Sequence, residues 1–205
     1  MFTVVLKGLI LQIINAVMKI YLFDSIEELG EDFVKQCVTF FPSWRTEQMM
    51  AYKHHSNRVR NAVAYLLLVK ALKDIGVMSG MPEFDYNEHG KPFLKNYPGW
   101  YFNISHCKTA VVCVLSRKIV GIDVEDIDKF REQLAKYSFN DDELKMIYEG
   151  NNTADMFYKL WTQKEAVFKC LGMGITHDIK NVLVNNDAKV ISLRHGNIWI
   201  SLAER

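Results

Sequence analysis

Two short stretches carry the residue types from which a site for a charged substrate could be built: VGIDVE at 120–125 and FYKLWTQKEAVFKCLGMG at 157–174. In the first, Val120, Ile122 and Val124 alternate with Gly121, Asp123 and Glu125, the period of a half-buried strand. Asp123 and Glu125 therefore project from one face, with a side-chain-free glycine just before them. Neighbouring carboxylates repel, and a cation offsets that repulsion. Oxygen ligands with no His or Cys beside them favour a hard ion such as Mg²⁺, with Mn²⁺ as an alternative.

In the second stretch, Phe157, Leu160, Val167, Phe168 and Leu171 gather on one side at 3.6 residues per turn, which predicts an amphipathic helix. Gly172 and Gly174 stop it. Trp161, Glu165 and Lys169, spaced four apart, stack on a neighbouring ridge. On helical pattern alone, Glu165 and Lys169 read first as a surface ion pair worth about 0.2–0.5 kcal/mol. Laid against the strand, Glu165 instead completes three carboxylates around one ion, with Lys169 beside it. That arrangement suits a diphosphate.

The pair GIDVE (121–125) and WTQKEAVFKCLGMG (161–174) resembles the two signature motifs of 4′-phosphopantetheinyl transferases, most closely the subclass that activates peptide synthetases such as surfactin synthetase. GKPFL at 90–94 and FNISHC at 102–107 resemble further pieces of that subclass, in the same order. The resemblance runs from about Met18 to the region after Gly174. It implies an α+β fold of two similar halves related by a pseudo-twofold, with antiparallel sheets and the active site in the cleft between them. The expected division is an N-terminal extension at 1–17, an N-terminal half at 18–110 and a C-terminal half with the metal site at 111–205.

The activity implied is Mg²⁺-dependent transfer of 4′-phosphopantetheine from coenzyme A to a serine of an apo acyl or peptidyl carrier protein. The leaving group is adenosine 3′,5′-bisphosphate. Asp123, Glu125 and Glu165 are the implied metal ligands, and Glu165, Lys169 and Asp123 the implied catalytic residues. Arg45, Arg60, Lys91, Pro92, Ser105, His106, Lys164 and Lys169 are the implied coenzyme contacts, with Arg45 and Arg60 towards the 3′-phosphate. Family members commonly have Ser after the His of the fourth motif; here the position is Cys107. Two other readings of the same residues are a metal-dependent hydrolase of a nucleotide diphosphate and a catalytically inactive binder of coenzyme A or a carrier protein. Retention of Asp123, Glu165 and Lys169 counts against the inactive binder.

The chain's totals agree with an ordinary globular protein. It has 205 residues, 49% hydrophobic and 24% charged, with a formal net charge of +1, so bulk charge makes no case for nucleic-acid binding. Cys37, Cys107, Cys113 and Cys170 form no CxxC pair, which fits reduced thiols in a cytoplasmic protein. The resemblance implies a monomer, and the apolar residues 1–17 are too short to span a bilayer comfortably, so no membrane partner is expected. The apolar segment MFTVVLKGLILQIINAV fits no targeting pattern, which raises Met18 as an alternative start against a genuine N-terminal helix or strand.

Between the motifs, the pattern predicts a helix over 24–41, a second begun by Ser43, and a buried helix over 62–72. Further helices are predicted at 128–137 and 141–148, the latter capped by Asn140 or Asp141. Lys129, Arg131 and Lys136 there offer cations to an acidic partner, and the resemblance puts the carrier protein along this region. Strands are predicted at 109–115, 181–184, 190–193 and 197–202. Ser105 and His106, adjacent on a strand, point to opposite faces, which excludes a hydrolytic triad built on that pair.

Overall fold

Antiparallel strand pairing and two long helices organise the computed structural model, which describes residues 11–15, 18–174 and 178–205. Strand β1 (Leu11–Asn15) pairs antiparallel with β2 (Met18–Phe23), so part of the N-terminal extension is a strand. The rest of 1–17, and with it the choice of start, lies outside the described residues. Beyond β2 the expected helix over 24–41 is divided into a 3₁₀ turn at Ile26–Glu28 and α1 at Glu31–Phe40. Gly30 caps α1 in extended backbone, as a glycine disfavoured by about 1 kcal/mol in a helix interior would.

Helix α2 (Ser43–Met50) starts after Pro42, and α3 (His55–Asp74) carries the apolar run into the core. A short hairpin of β3 (Phe84–Tyr86) and β4 (Pro92–Leu94) precedes β5 (Tyr101–His106), β6 (Val111–Ser116) and β7 (Val120–Asp126). Then come α4 (Glu132–Ser138), α5 (Asp141–Glu149) and α6 (Thr153–Leu171). Asn140 caps α5 through a reciprocal capping box with Glu143. Gly172 closes α6 in the left-handed region at φ 71°.

Strands β8 (Lys189–His195) and β9 (Ile198–Glu204) finish the chain. The segment 181–184, expected as a strand, is a turn. Asp178 accepts from the side-chain amides of Asn181 and Asn185, and the Asn181 carbonyl accepts the backbone N–H groups of Val184 and Asn185. Such local polar bonds compete with a sheet ladder.

The sheets run β1-β2-β6-β5 and β7-β9-β8, antiparallel throughout. Without β1, each half contributes a first strand, a set of helices ending in a long one, and a hairpin whose last strand pairs with the first. The order first-last-middle thus repeats, β2-β6-β5 and β7-β9-β8. β6 pairs with both β2 and β5. Helix α3 covers one face of the first sheet through Tyr21, Phe23, Phe102, Val111, Cys113 and Leu115. Alternate residues Ile20, Leu22, Val112 and Val114 face the other way and join Ile122, Val124, Ile198, Ile200 and Leu202 in the core between the halves. The opposite face of β7 and β9 receives α6.

Gly121 makes that last contact possible. A Cβ there would stand 2.1 Å from the Ala166 carbonyl oxygen and 2.2 Å from the Cys170 nitrogen, both backbone atoms that cannot swing aside. Gly121→Ala is therefore expected to cost about 3 kcal/mol of stability by forcing α6 off the strand, read as a lowered urea midpoint.

Tyr21, fully buried, donates its hydroxyl to Asp74 at 2.7 Å. Burial first, then the Asp74 carboxylate, holds this phenol well above the usual tyrosine range. The unfolded chain ionises Tyr21 near pH 10 while the folded chain does not, so this group's contribution is intact below pH 10 and lost above it. Alkaline melting series should show a shallower decline above pH 10 for Tyr21→Phe than for the wild type.

Candidate functional site

The edges of the two sheets meet where β5 runs beside β7, and the site lies there under α6. On β5, Phe102 and Ile104 turn into the α3 core, so Asn103 and Ser105 turn towards β7. The Asn103 side-chain oxygen accepts the Ile122 backbone N–H at 2.8 Å, and the Ser105 hydroxyl donates to Asp123 Oδ1 at 2.7 Å. Asp123 and Glu125 face α6 as their alternation required. From α6, Lys169 Nζ donates to Asp123 Oδ1 at 2.5 Å and to Ser105 Oγ at 2.9 Å. Phe157, Val167 and Phe168, each at most 3% exposed, anchor the helix in the core, Phe168 also lining the cavity beside the site, while Glu165 and Lys169 stay half-buried at the cleft.

The electrostatics are those of negative charges sharing one poorly solvated space. Burial, then the Asp123 charge, pushes the Glu125 carboxyl up to about 7, against the favourable Lys169 ammonium and the Trp161 indole N–H. Glu165 is raised for the same two leading reasons, burial and then Asp123. Asp123 is 3% exposed, and its second carboxylate oxygen, Oδ2, is buried with no partner. An orphaned carboxylate oxygen beside two carboxyls held reluctant to ionise fits a hard cation, which would satisfy the oxygen and relieve the repulsion. The side chains are not a ready-made cage: among the described residues no three acidic, His or Cys groups converge tightly enough to grip an ion unaided.

A cavity of about 300 Å³ opens beside these groups, lined by His89, Lys91, Pro92, Asn103, Glu165 and Lys169 among others. Lys91 and Pro92 are thus at the cleft, but the Lys91 ammonium is directed inward, to the carbonyls of Val120 at 3.1 Å and Cys170 at 3.2 Å. His106 ends β5 at the surface. Partial desolvation, then the Arg60 and Lys169 cations, hold its imidazole below the usual range. Arg60 itself bonds to Asn57 at 2.5 Å.

Arg45 lines a neighbouring recess of about 180 Å³ with Tyr65, Phe84 and Pro92. Its guanidinium donates to Gln48 and to the Asn61 carbonyl, lies over Tyr65, and keeps Nε buried without a partner. Cys107 folds into the turn after β5, its N–H on the Ala110 carbonyl, and burial pushes its thiol up to about 12.

Lys164 departs from its expected place. It is fully buried away from the cleft, with Nζ 2.8 Å from Glu143 Oε2 and bonded to the carbonyls of Ile179 and Lys180. Its spacing shows why: four residues after Leu160 and three before Val167, it occupies the core stripe of α6. Sequence reasoning also missed Asn103, Asn87 and the Trp161 N–H. Asn103 carried a signal, a polar residue at an inward strand position.

Comparison with known proteins gives a family-level signal for the C-terminal half: residues 119–203 match the model of the 4′-phosphopantetheinyl transferase superfamily. Similar proteins include a 4′-phosphopantetheinyl transferase of Bacillus subtilis, 29% identical over 135 residues, covering 64% of this chain and 60% of the relative. Sfp of Bacillus subtilis strain 168 is 25% identical over 178 residues, covering 84% of this chain and 80% of Sfp. Gsp of Aneurinibacillus migulanus is 29% identical over 146 residues, covering 70% of this chain and 61% of that protein. The match thus spans less than two thirds of the first and third relatives. The two signature motifs, at 121–125 and 161–174, lie within the matched residues. No helix among the described residues is long and apolar enough to cross a membrane.

Proposed function

We propose that this chain, kin to the 4′-phosphopantetheinyl transferases, moves the 4′-phosphopantetheine group of coenzyme A onto a serine hydroxyl of an apo carrier protein. The observation that carries the reading is the cluster of buried Asp123 with half-buried Glu125, Glu165 and Lys169 at the β7–α6 contact, with the second Asp123 oxygen buried and without a protein donor. Asp123, Glu125 and Glu165 would hold a divalent cation, Mg²⁺ in the first instance, which when bound supplies neutralisation of diphosphate charge. Lys169 lies beside them, where its ammonium balances charge on the departing phosphate. His106 and Arg60 add cations along the phosphate path, and His106 takes up charge more readily once a phosphate lies against it. Arg45, in its aromatic recess past Pro92, suits the 3′-phosphate end.

The carrier serine oxygen attacks the β-phosphorus, which bears the pantetheine arm. The bond from that phosphorus to the bridging oxygen breaks, and adenosine 3′,5′-bisphosphate departs. The serine proton passes to Glu165, which stands half-buried at the cleft. Lys129 and Arg131 ahead of α4, with the 67% exposed Tyr137, form the face offered to an acidic carrier helix. Lys136 contributes less there, since it already pairs with Glu132 at 2.7 Å. The protein acts as a cytoplasmic monomer.

Intact-mass measurement of an apo acyl carrier protein, incubated with the chain, coenzyme A and Mg²⁺, tests this. The reading predicts a gain of one phosphopantetheine group that EDTA abolishes. No gain with several acyl and peptidyl carriers would contradict it.

A further inference from the structure

The turn at 87–91 belongs to the N-terminal half, yet its side chains are spent on the C-terminal half. Asn87 organises the turn: its Oδ1 accepts the backbone N–H of His89 at 3.0 Å and of Lys91 at 2.7 Å. The other end of the same amide, Nδ2, donates to the Gly172 carbonyl at 3.0 Å. Lys91 Nζ then bonds to the Cys170 carbonyl in the last turn of α6 and to the Val120 carbonyl at the start of β7. The final carbonyls of a helix have no partner within it and carry the negative end of its dipole, so an ammonium and an amide N–H are suited to them.

The fit is close on the helix side too. A Cβ on Gly172 would stand 3.1 Å from both Asn87 Nδ2 and Lys91 Cδ. Three hydrogen bonds from one turn therefore reach the end of the helix bearing Glu165 and Lys169 and the start of the strand bearing Asp123 and Glu125. Burial holds the Lys91 ammonium below the usual lysine range, as expected for a cation committed to carbonyls in the interior.

We propose that Asn87 and Lys91 are positioning residues. They form a clasp that sets α6 against β7, the Lys91 ammonium acting through the two catalytic elements. The effect on turnover rests on the transferase reading; the clasp itself does not.

The experiment compares wild type, Lys91→Met, Lys91→Arg and Asn87→Asp. Asn87→Asp keeps the turn's acceptor, removes the donor to Gly172, and leaves Lys91 in place. Amide hydrogen exchange over residues 168–172 should quicken at least tenfold in Asn87→Asp and Lys91→Met, with Lys91→Arg between them and wild type. In the transfer assay, kcat should fall at least tenfold in the same two variants. KM, and the calorimetric affinity for coenzyme A, should move less than threefold.

Unchanged exchange in both variants would overturn the clasp. So would a tenfold loss of coenzyme A affinity confined to the Lys91 variants, which would make Lys91 a ligand contact. A wild type that transfers nothing but shows the exchange pattern would sink the transferase reading and leave the clasp standing.

Discussion

Asp123→Asn is expected to lower phosphopantetheine transfer by at least about a thousandfold, equivalent to about 4 kcal/mol of transition-state stabilisation. Asn keeps an oxygen where Ser105 and Lys169 now donate, so the local hydrogen bonds survive. What it removes is the negative charge that raises both Glu125 and Glu165. The folded protein should therefore melt close to wild type, while the Glu125 carboxyl, followed by NMR without metal, titrates below its wild-type value of about 7. Turnover close to wild type would remove Asp123 from the chemistry. A collapsed melting temperature would show it to be chiefly a strut.

Lys164→Met is expected to destabilise the fold by about 3–5 kcal/mol without touching coenzyme affinity. The side-chain relative exposures of Lys164 and Glu143 are 1% and 5%, and Glu143 also holds the N-terminus of α5 through its capping box. Removing the cation leaves a buried carboxylate with no counter-charge, and one of its oxygens, Oε1, is already unpartnered. Glu143→Gln neutralises that carboxylate yet retains an oxygen for the Asn140 N–H. The double variant should thus be more stable than Lys164→Met alone, by at least about 1 kcal/mol in chemical denaturation. Weakened coenzyme A binding at unchanged stability would restore Lys164 to the phosphate path.

Period-two alternation made Asp123 and Glu125 legible as one face of a strand. Four-residue spacing put Trp161, Glu165 and Lys169 on one ridge. Both patterns survive because the strand is short and two-faced and the helix long, so tertiary packing had little room to override them. Lys164, a coenzyme contact by resemblance, sits by its spacing from Leu160 and Val167 on the core stripe, where Glu143 takes its charge.

Lys91 shows a different limit. A Gly-Lys-Pro turn reads as an exposed lysine or a ligand contact, and nothing local reveals that Val120 and Cys170 will lie within reach of its ammonium. The same holds for Asn87 and Gly172, which are 85 residues apart in sequence. At 181–184 the apolar Val182, Leu183 and Val184 suggest a strand, but the local bonds of the flanking Asn and Asp side chains decide the backbone there. Gly30 likewise interrupts a pattern that apolar spacing alone carries through.

The most direct test of the central claim is the release of adenosine 3′,5′-bisphosphate from coenzyme A, measured with Mg²⁺ in the presence and absence of an apo carrier protein. Release matched one for one by modified carrier, and negligible without carrier, is what a serine hydroxyl attacking the β-phosphorus requires. Steady release without any carrier would contradict the account, because water would then be the acceptor and the chain a hydrolase.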